Sequence, residues 1–137
     1  VRVGSREWIE AMVSALNAQP ELPAALAGLS EDAAIVVEAD PPAWPGTVVV
    51  WAEHRGGRIA RWRLLHDEDE LLELEPGYVV RVRYTVLKEL LRPGADPVRA
   101  ALSGRVRVEG DLEALIRRSH YGRLVEAALA TVPTELP

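Results

Sequence analysis

The chain has 137 residues, close to the commonest size of a single domain, and its 48% hydrophobic and 27% charged residues match globular proteins. A net charge of −5 argues against a general nucleic-acid binder, which carries a basic excess. The absence of cysteine excludes disulfides, thiolate metal sites and cysteine catalysis. No apolar run approaches the ~20 residues of a membrane span, so stable membrane insertion is not expected. The N-terminus has no basic segment leading into an apolar one, and a single soluble, cytoplasmic domain over 1–137 is the expectation.

Ser5 can cap a helix to about Ala18, with Trp8, Ile9, Met12, Val13 and Leu16 at helical spacing on one face. Pro20 and Pro23 interrupt the chain, and Ala24 to Leu29 has room for one short helical turn. Ala33 to Ala39 is rich in β-branched residues and is expected as a first strand, ended by Pro41, Pro42 and Pro45. Thr47 to His54 and Arg58 to Leu65 flank Arg55-Gly56-Gly57, and glycines tolerate the positive φ of a tight turn. These two runs should pair as an antiparallel hairpin. Tyr78 to Thr85 alternates Val80, Val82 and Tyr84 with Arg81 and Arg83, which places one face of a strand on a core.

Thr85 or Val86 opens a helix through Leu87, Leu90 and Leu91 that must stop near Pro93-Gly94. Asp96-Pro97 combines a cap with proline at the first helical position, and Gly104 ends that helix. Arg105 to Glu109 alternates again, with Val106 and Val108 inward. Asp111 is expected to cap a C-terminal helix whose apolar face runs through Leu112, Leu115, Ile116, Leu124, Val125, Ala128, Leu129 and Val132. Ser119 to Gly122 marks a place for it to kink or split. The order of elements predicts an α+β fold with a largely antiparallel sheet and helices on one face.

Chemistry is harder to find. His66-Asp67-Glu68-Asp69-Glu70 is acidic, but adjacent acids diverge and the spaced ligands and glycine of an EF-hand are missing. A solvated loop is expected there, and no metal site. His54, His66 and His120 fall on a strand end, a loop and a helix and match no nucleophile or zinc motif. No serine has a Gly-x-Ser-x-Gly setting, and Gly104 to Gly110 lacks the arrangement of a P-loop. No catalytic residue and no cofactor is expected. Arg61, Arg63, Arg81, Arg83, Arg105 and Arg107 sit at alternate strand positions, suited to pairing with acids on an exposed sheet face. Trp51, Trp62 and Tyr84 could form an aromatic wall, with an ordinary core as the default. Periodicity does not separate a filled core from one that holds a ligand.

The stretch LLRPGADPVRAALSGRVRVEGDLEAL, Leu90 to Leu115, resembles the C-terminal signature of the sterol carrier protein type 2 family. The matching positions are Gly94, Asp96, Pro97, Ala100, Gly104, Val106, Val108, Gly110 and Asp111. The Trp8 helix, the turn near Leu26-Ala27-Gly28, the strand with Val36 and Val37 and the double-glycine hairpin follow the family order, so the resemblance runs from about Trp8 to Leu129. It implies a five-stranded, mostly antiparallel sheet covered by helices on one face, with an apolar tunnel between them for sterols, fatty acids, acyl-CoA or phospholipids, and it implies no catalysis. Under that resemblance the tunnel walls fall to Trp62, Leu64, Val82, Tyr84, Leu87, Leu91, Leu115, Val125 and Leu129. The alternatives are an accessory module that presents an isoprenoid or acyl substrate to an enzyme partner, and a small cofactor-independent enzyme. A homodimer stays open.

Overall fold

The computed structural model describes residues 2–29, 31–65, 67–92, 94–110 and 119–137. Ser5 Oγ accepts the Trp8 N–H at 3.2 Å and opens α1 (Arg6–Asn17), which buries Ile9, Met12 and Leu16. Proline in the first turn of α2 (Leu22–Ala25) removes an N–H that has no helical partner there. The strands β1 (Ala33–Glu38), β2 (Val48–Arg55) and β3 (Arg58–Leu65) follow. Between the last two, Gly56 and Gly57 have φ of 61° and 74°, the left-handed pair that a two-residue hairpin needs. A Cβ on Gly57 would also lie 2.7 Å from Pro23 Cα, so only glycine fits against α2.

Two elements depart from the sequence reading. Asp67, Glu68 and Asp69 of the acidic run are exposed loop as expected, but Glu70 starts a short helix, α3 (Glu70–Leu74), because Leu71 finds a buried place on the sheet. Asp67 and Glu68 are occupied locally, Asp67 accepting the Asp69 N–H at 2.9 Å and Glu68 pairing with Arg81. The strand β4 (Tyr78–Arg83) is shorter than expected, since Tyr84 turns out of the sheet and begins α4 (Tyr84–Leu90). After α5 (Pro97–Leu102) and β5 (Val106–Glu109), α6 (Ser119–Thr131) is described from Ser119 and includes Gly122, while its junction with the segment that starts at Asp111 lies outside the described residues. The expected Asp111 cap lies outside the described residues.

The sheet order is β3-β2-β1-β4-β5; β1 and β4 run parallel and the other three pairings are antiparallel. The helices α1, α2, α4, α5 and α6 pack over one face. The opposite face carries Ala34, Val36, Val49, Trp51, Leu65 and Val79, covered by Leu71 and Leu74 of α3. Beyond α3 that face is charged, and its arginines pair across strands: Arg61 with Glu53 at 2.6 Å, Arg81 with Glu109 at 3.0 Å, and Arg107 with Glu38. Such exposed pairs each contribute about 0–1 kcal/mol, so they keep the face soluble more than they hold it together.

Two local devices make testable claims. Asp96 Oδ1 accepts the Arg99 N–H at 3.1 Å as the cap of α5. Asp96→Ala is therefore expected to cost about 1 kcal/mol, read as a lower denaturant midpoint at unchanged slope. At the entry to α4, Asp40 accepts from both the Thr85 hydroxyl and its N–H. These hydrogen bonds hold the Asp40 carboxyl below its ordinary value. The resulting stability is complete above the unfolded carboxyl's pKa of about 3.9 and is lost as pH falls through the lower folded value. Thr85→Val should thus lower the urea midpoint at neutral pH, with the difference from wild type vanishing in acid.

Candidate functional site

Strand register brings one apolar residue from each strand into a single row on the helix-covered face. Leu64 pairs with Val50, Val50 with Ile35, Ile35 with Val80, and Val80 with Val108. None of the five is buried, and Ile35, in the middle of the central strand, is 46% exposed. The rows on either side are better covered. Val37, Val82 and Val106 are buried on one side and Tyr78 on the other.

The reason lies in the helix layer, which packs on the sheet as two separate clusters. One joins Met12 and Leu16 of α1, Leu22 and Leu26 at α2, and Leu124 and Ala128 of α6 to Ile59 and Tyr78. The other joins Val3, Trp44, Tyr84 and Ala100 to Val37, Val82 and Val106. Trp8 touches both. Part-buried apolar side chains fringe each cluster: Val125 and Leu129 on the first, Leu87, Leu90 and Leu91 on the second. Apolar surface left open in this way costs about 25 cal/mol per Å², which an apolar guest would recover.

Of the residues expected as tunnel walls, Leu64 stands in the open row. Trp62 lies beside it on the same face, part-buried, with the Arg6 guanidinium 5.5 Å from its ring centroid. Leu87, Leu91, Val125 and Leu129 are part-buried at the cluster edges, and Leu115 lies outside the described residues. Val82 and Tyr84 sit in filled core. The Tyr84 ring stacks on Trp44 with centroids 4.5 Å apart and planes 6° from parallel, and its hydroxyl donates to the Pro137 carbonyl at 2.9 Å.

The aromatic wall does not form, because Trp51 points to the opposite face, where its Nε1 donates to Asp32 at 2.6 Å and Arg61 covers the ring. Reading the sequence missed Ile35, Val50, Val80 and Val108 as site residues. Ile35 lies in the run AAIVVE, which has no alternation, so only pairing with Val50 and Val80 assigns its face. Among the described residues, no group of three His, Asp or Glu side chains is placed to hold a metal ion. No helix among them is long and apolar enough to cross a membrane.

No family model matches the sequence, and no curated protein sequence matches it. The fold itself is that of an α+β domain, a mixed five-stranded sheet with its main helix layer on one face. In particular, it is the sterol carrier protein 2 fold. A solution structure from Thermus thermophilus, described as a conserved hypothetical protein and a potential sterol carrier protein, superposes with a TM-score of 0.79 at 18% identity, covering 99% of this chain and 93% of that one. A crystal structure of sterol carrier protein 2 gives 0.73 at 18% identity, covering 96% and 97%. The ubiquinone synthesis protein UbiJ-SCP2 gives 0.55 at 16%, covering 88% and 87%.

Proposed function

We propose that this chain binds a lipid-like apolar ligand (a sterol, fatty acid, acyl-CoA, phospholipid or isoprenoid) along the row centred on Ile35, and carries or presents it without doing chemistry. The observation that carries this reading is the 46% exposure of Ile35 at the centre of a sheet face otherwise covered by helices. Each buried CH₂ of a guest contributes about 0.8 kcal/mol before ordering costs, and Ile35, Val50 and Leu64, which belong to neither packed cluster, offer that burial. The shared fold with sterol carrier protein 2 supports the same reading.

A second form of it, presentation of an isoprenoid or acyl substrate to a separate enzyme, draws on the fold shared with a ubiquinone synthesis protein. Copurification with an enzyme distinguishes that form from free carriage. The central test is native mass spectrometry and organic extraction of the purified protein, followed by titration with a long-chain fatty acid. A retained lipid, or a saturable fluorescence change that disappears in Trp62→Phe, is expected. No retained species and no saturable change would sink the proposal.

A further inference from the structure

The segment that forms α4 and α5 is cationic in an acidic chain. Residues 84–105 carry Lys88, Arg92, Arg99 and Arg105 against Glu89 and Asp96, while the whole chain has a net charge of −5. Both acids are engaged: Glu89 pairs with Arg105, and Asp96 caps α5 through the Arg99 N–H at 3.1 Å. Lys88 Nζ donates to the Pro137 carbonyl at 3.3 Å. Arg92 and Arg99 are exposed, and neither guanidinium has an acidic partner among the described residues.

Beside Arg99 stands an apolar side chain that nothing covers. Leu102, at the end of α5, is 70% exposed. It follows Arg99 by three residues, which puts both on one face of the helix, while Ala100 is buried in the cluster below. Leu72 on α3 is 77% exposed, but it lies between Glu70 and Glu73, charges of the opposite sign.

The helix is also joined to the open row. The Arg105 N–H donates to the Ala100 carbonyl at 2.9 Å, which ties α5 to the residue before β5, and Val108 of β5 ends the row that runs through Ile35. Leu87, Leu90 and Leu91 of α4 pack on the same cluster as Ala100, with Val80 and Val108 at its edge.

We propose that α5 and the turn before it dock the protein on a negatively charged lipid surface, Leu102 entering the headgroup layer and Arg92 and Arg99 facing the lipid phosphates. The role rests on the proposed lipid binding, because the bilayer then delivers or receives the ligand beside the row. Charge complementarity selects an anionic bilayer. A stable protein partner buries about 800 Å² on each side, far more than one leucine presents. One apolar side chain flanked by unpaired cations suits the boundary layer of a bilayer, and no spanning helix is required.

The test is sedimentation of the full chain with vesicles of equimolar phosphatidylcholine and phosphatidylserine, beside vesicles of phosphatidylcholine alone. Binding is expected to the mixed vesicles only, and it should weaken as salt is raised. Arg92→Gln combined with Arg99→Gln should lower the partition coefficient about tenfold or more. Leu102→Ser should lower it several-fold, and the thermal melts of both variants should match wild type because all three side chains are exposed. Equal binding to both vesicles, no binding to either, or wild-type binding by the arginine variant would overturn the docking. Wild-type binding by Leu102→Ser would mark a mere affinity for polyanions and overturn it as well. Titration with a long-chain fatty acid in the absence of vesicles separates the two proposals. A chain that binds the fatty acid and no vesicle fails in docking alone, and one that binds mixed vesicles and no fatty acid fails in the lipid-ligand reading alone.

Discussion

Ile35→Glu is expected to abolish lipid binding and leave the fold standing, whereas the same change one residue later, Val36→Glu, is expected to prevent folding. Both residues are in the central strand, and both are apolar and β-branched. Ile35 is 46% exposed, so a carboxylate there stays in contact with water while the protein is free of ligand. A bound acyl chain or sterol would strip that water away, and an unpaired charge beside hydrocarbon costs several kcal/mol. Affinity for a long-chain fatty acid should fall by about a hundredfold or more, the equivalent of about 2.7 kcal/mol.

Val36 is 0% exposed among Ala34, Val49, Leu65 and Leu71, and its register neighbour Arg81 is already paired with Glu68 and Glu109. An unpaired buried carboxylate there competes with a total stability of about 5–15 kcal/mol. Circular dichroism with thermal melting, run beside the titration, separates the two outcomes. Ile35→Glu protein that melts as wild type and still binds fatty acid would place the ligand elsewhere.

The next largest effect is expected at Tyr84. It is 1% exposed, stacked on Trp44, and tied through its hydroxyl to the last residue of the chain. Truncation to alanine leaves a ring-sized hole between the start of α4, the Trp44 loop and the chain ends, and should cost about 3–5 kcal/mol. Tyr84→Phe keeps the stack and loses one hydrogen bond, for about 1 kcal/mol. The ratio matters more than either value. If both variants lose the same small amount by urea denaturation, the hydroxyl rather than the packed ring holds this end of the molecule.

Tyr84 also shows where sequence patterning stops. Its alternation with Val80 and Val82 extends the strand pattern, yet the backbone leaves the sheet at Arg83. The stack on Trp44 and the two hydrogen bonds from Thr85 to Asp40 outweigh one more rung of ladder, and both partners lie more than thirty-five residues away in sequence. The helix that follows the acidic run was missed in the other direction. The charges of that run suggest a solvated loop, but Leu71 and Leu74 supply enough apolar surface to dock a single helical turn on a face that reading the sequence left bare.

Several features were legible from the sequence alone because they depend on contacts within a few residues: the Ser5 and Asp96 caps, the left-handed Gly56-Gly57 turn, and the strand faces of Val80, Val82, Val106 and Val108. Their spacing also carried the resemblance to the sterol carrier protein fold. The candidate site was not legible, since it belongs to no single segment. Leu64, Val50, Ile35, Val80 and Val108 become one row only through the register of five strands, including the parallel pairing of β1 with β4. The row is open only because the helices settle into two clusters, one around Tyr78 and one around Tyr84. Hydrophobic patterning records which side chains avoid water, and tertiary packing decides which of them are left without a neighbour.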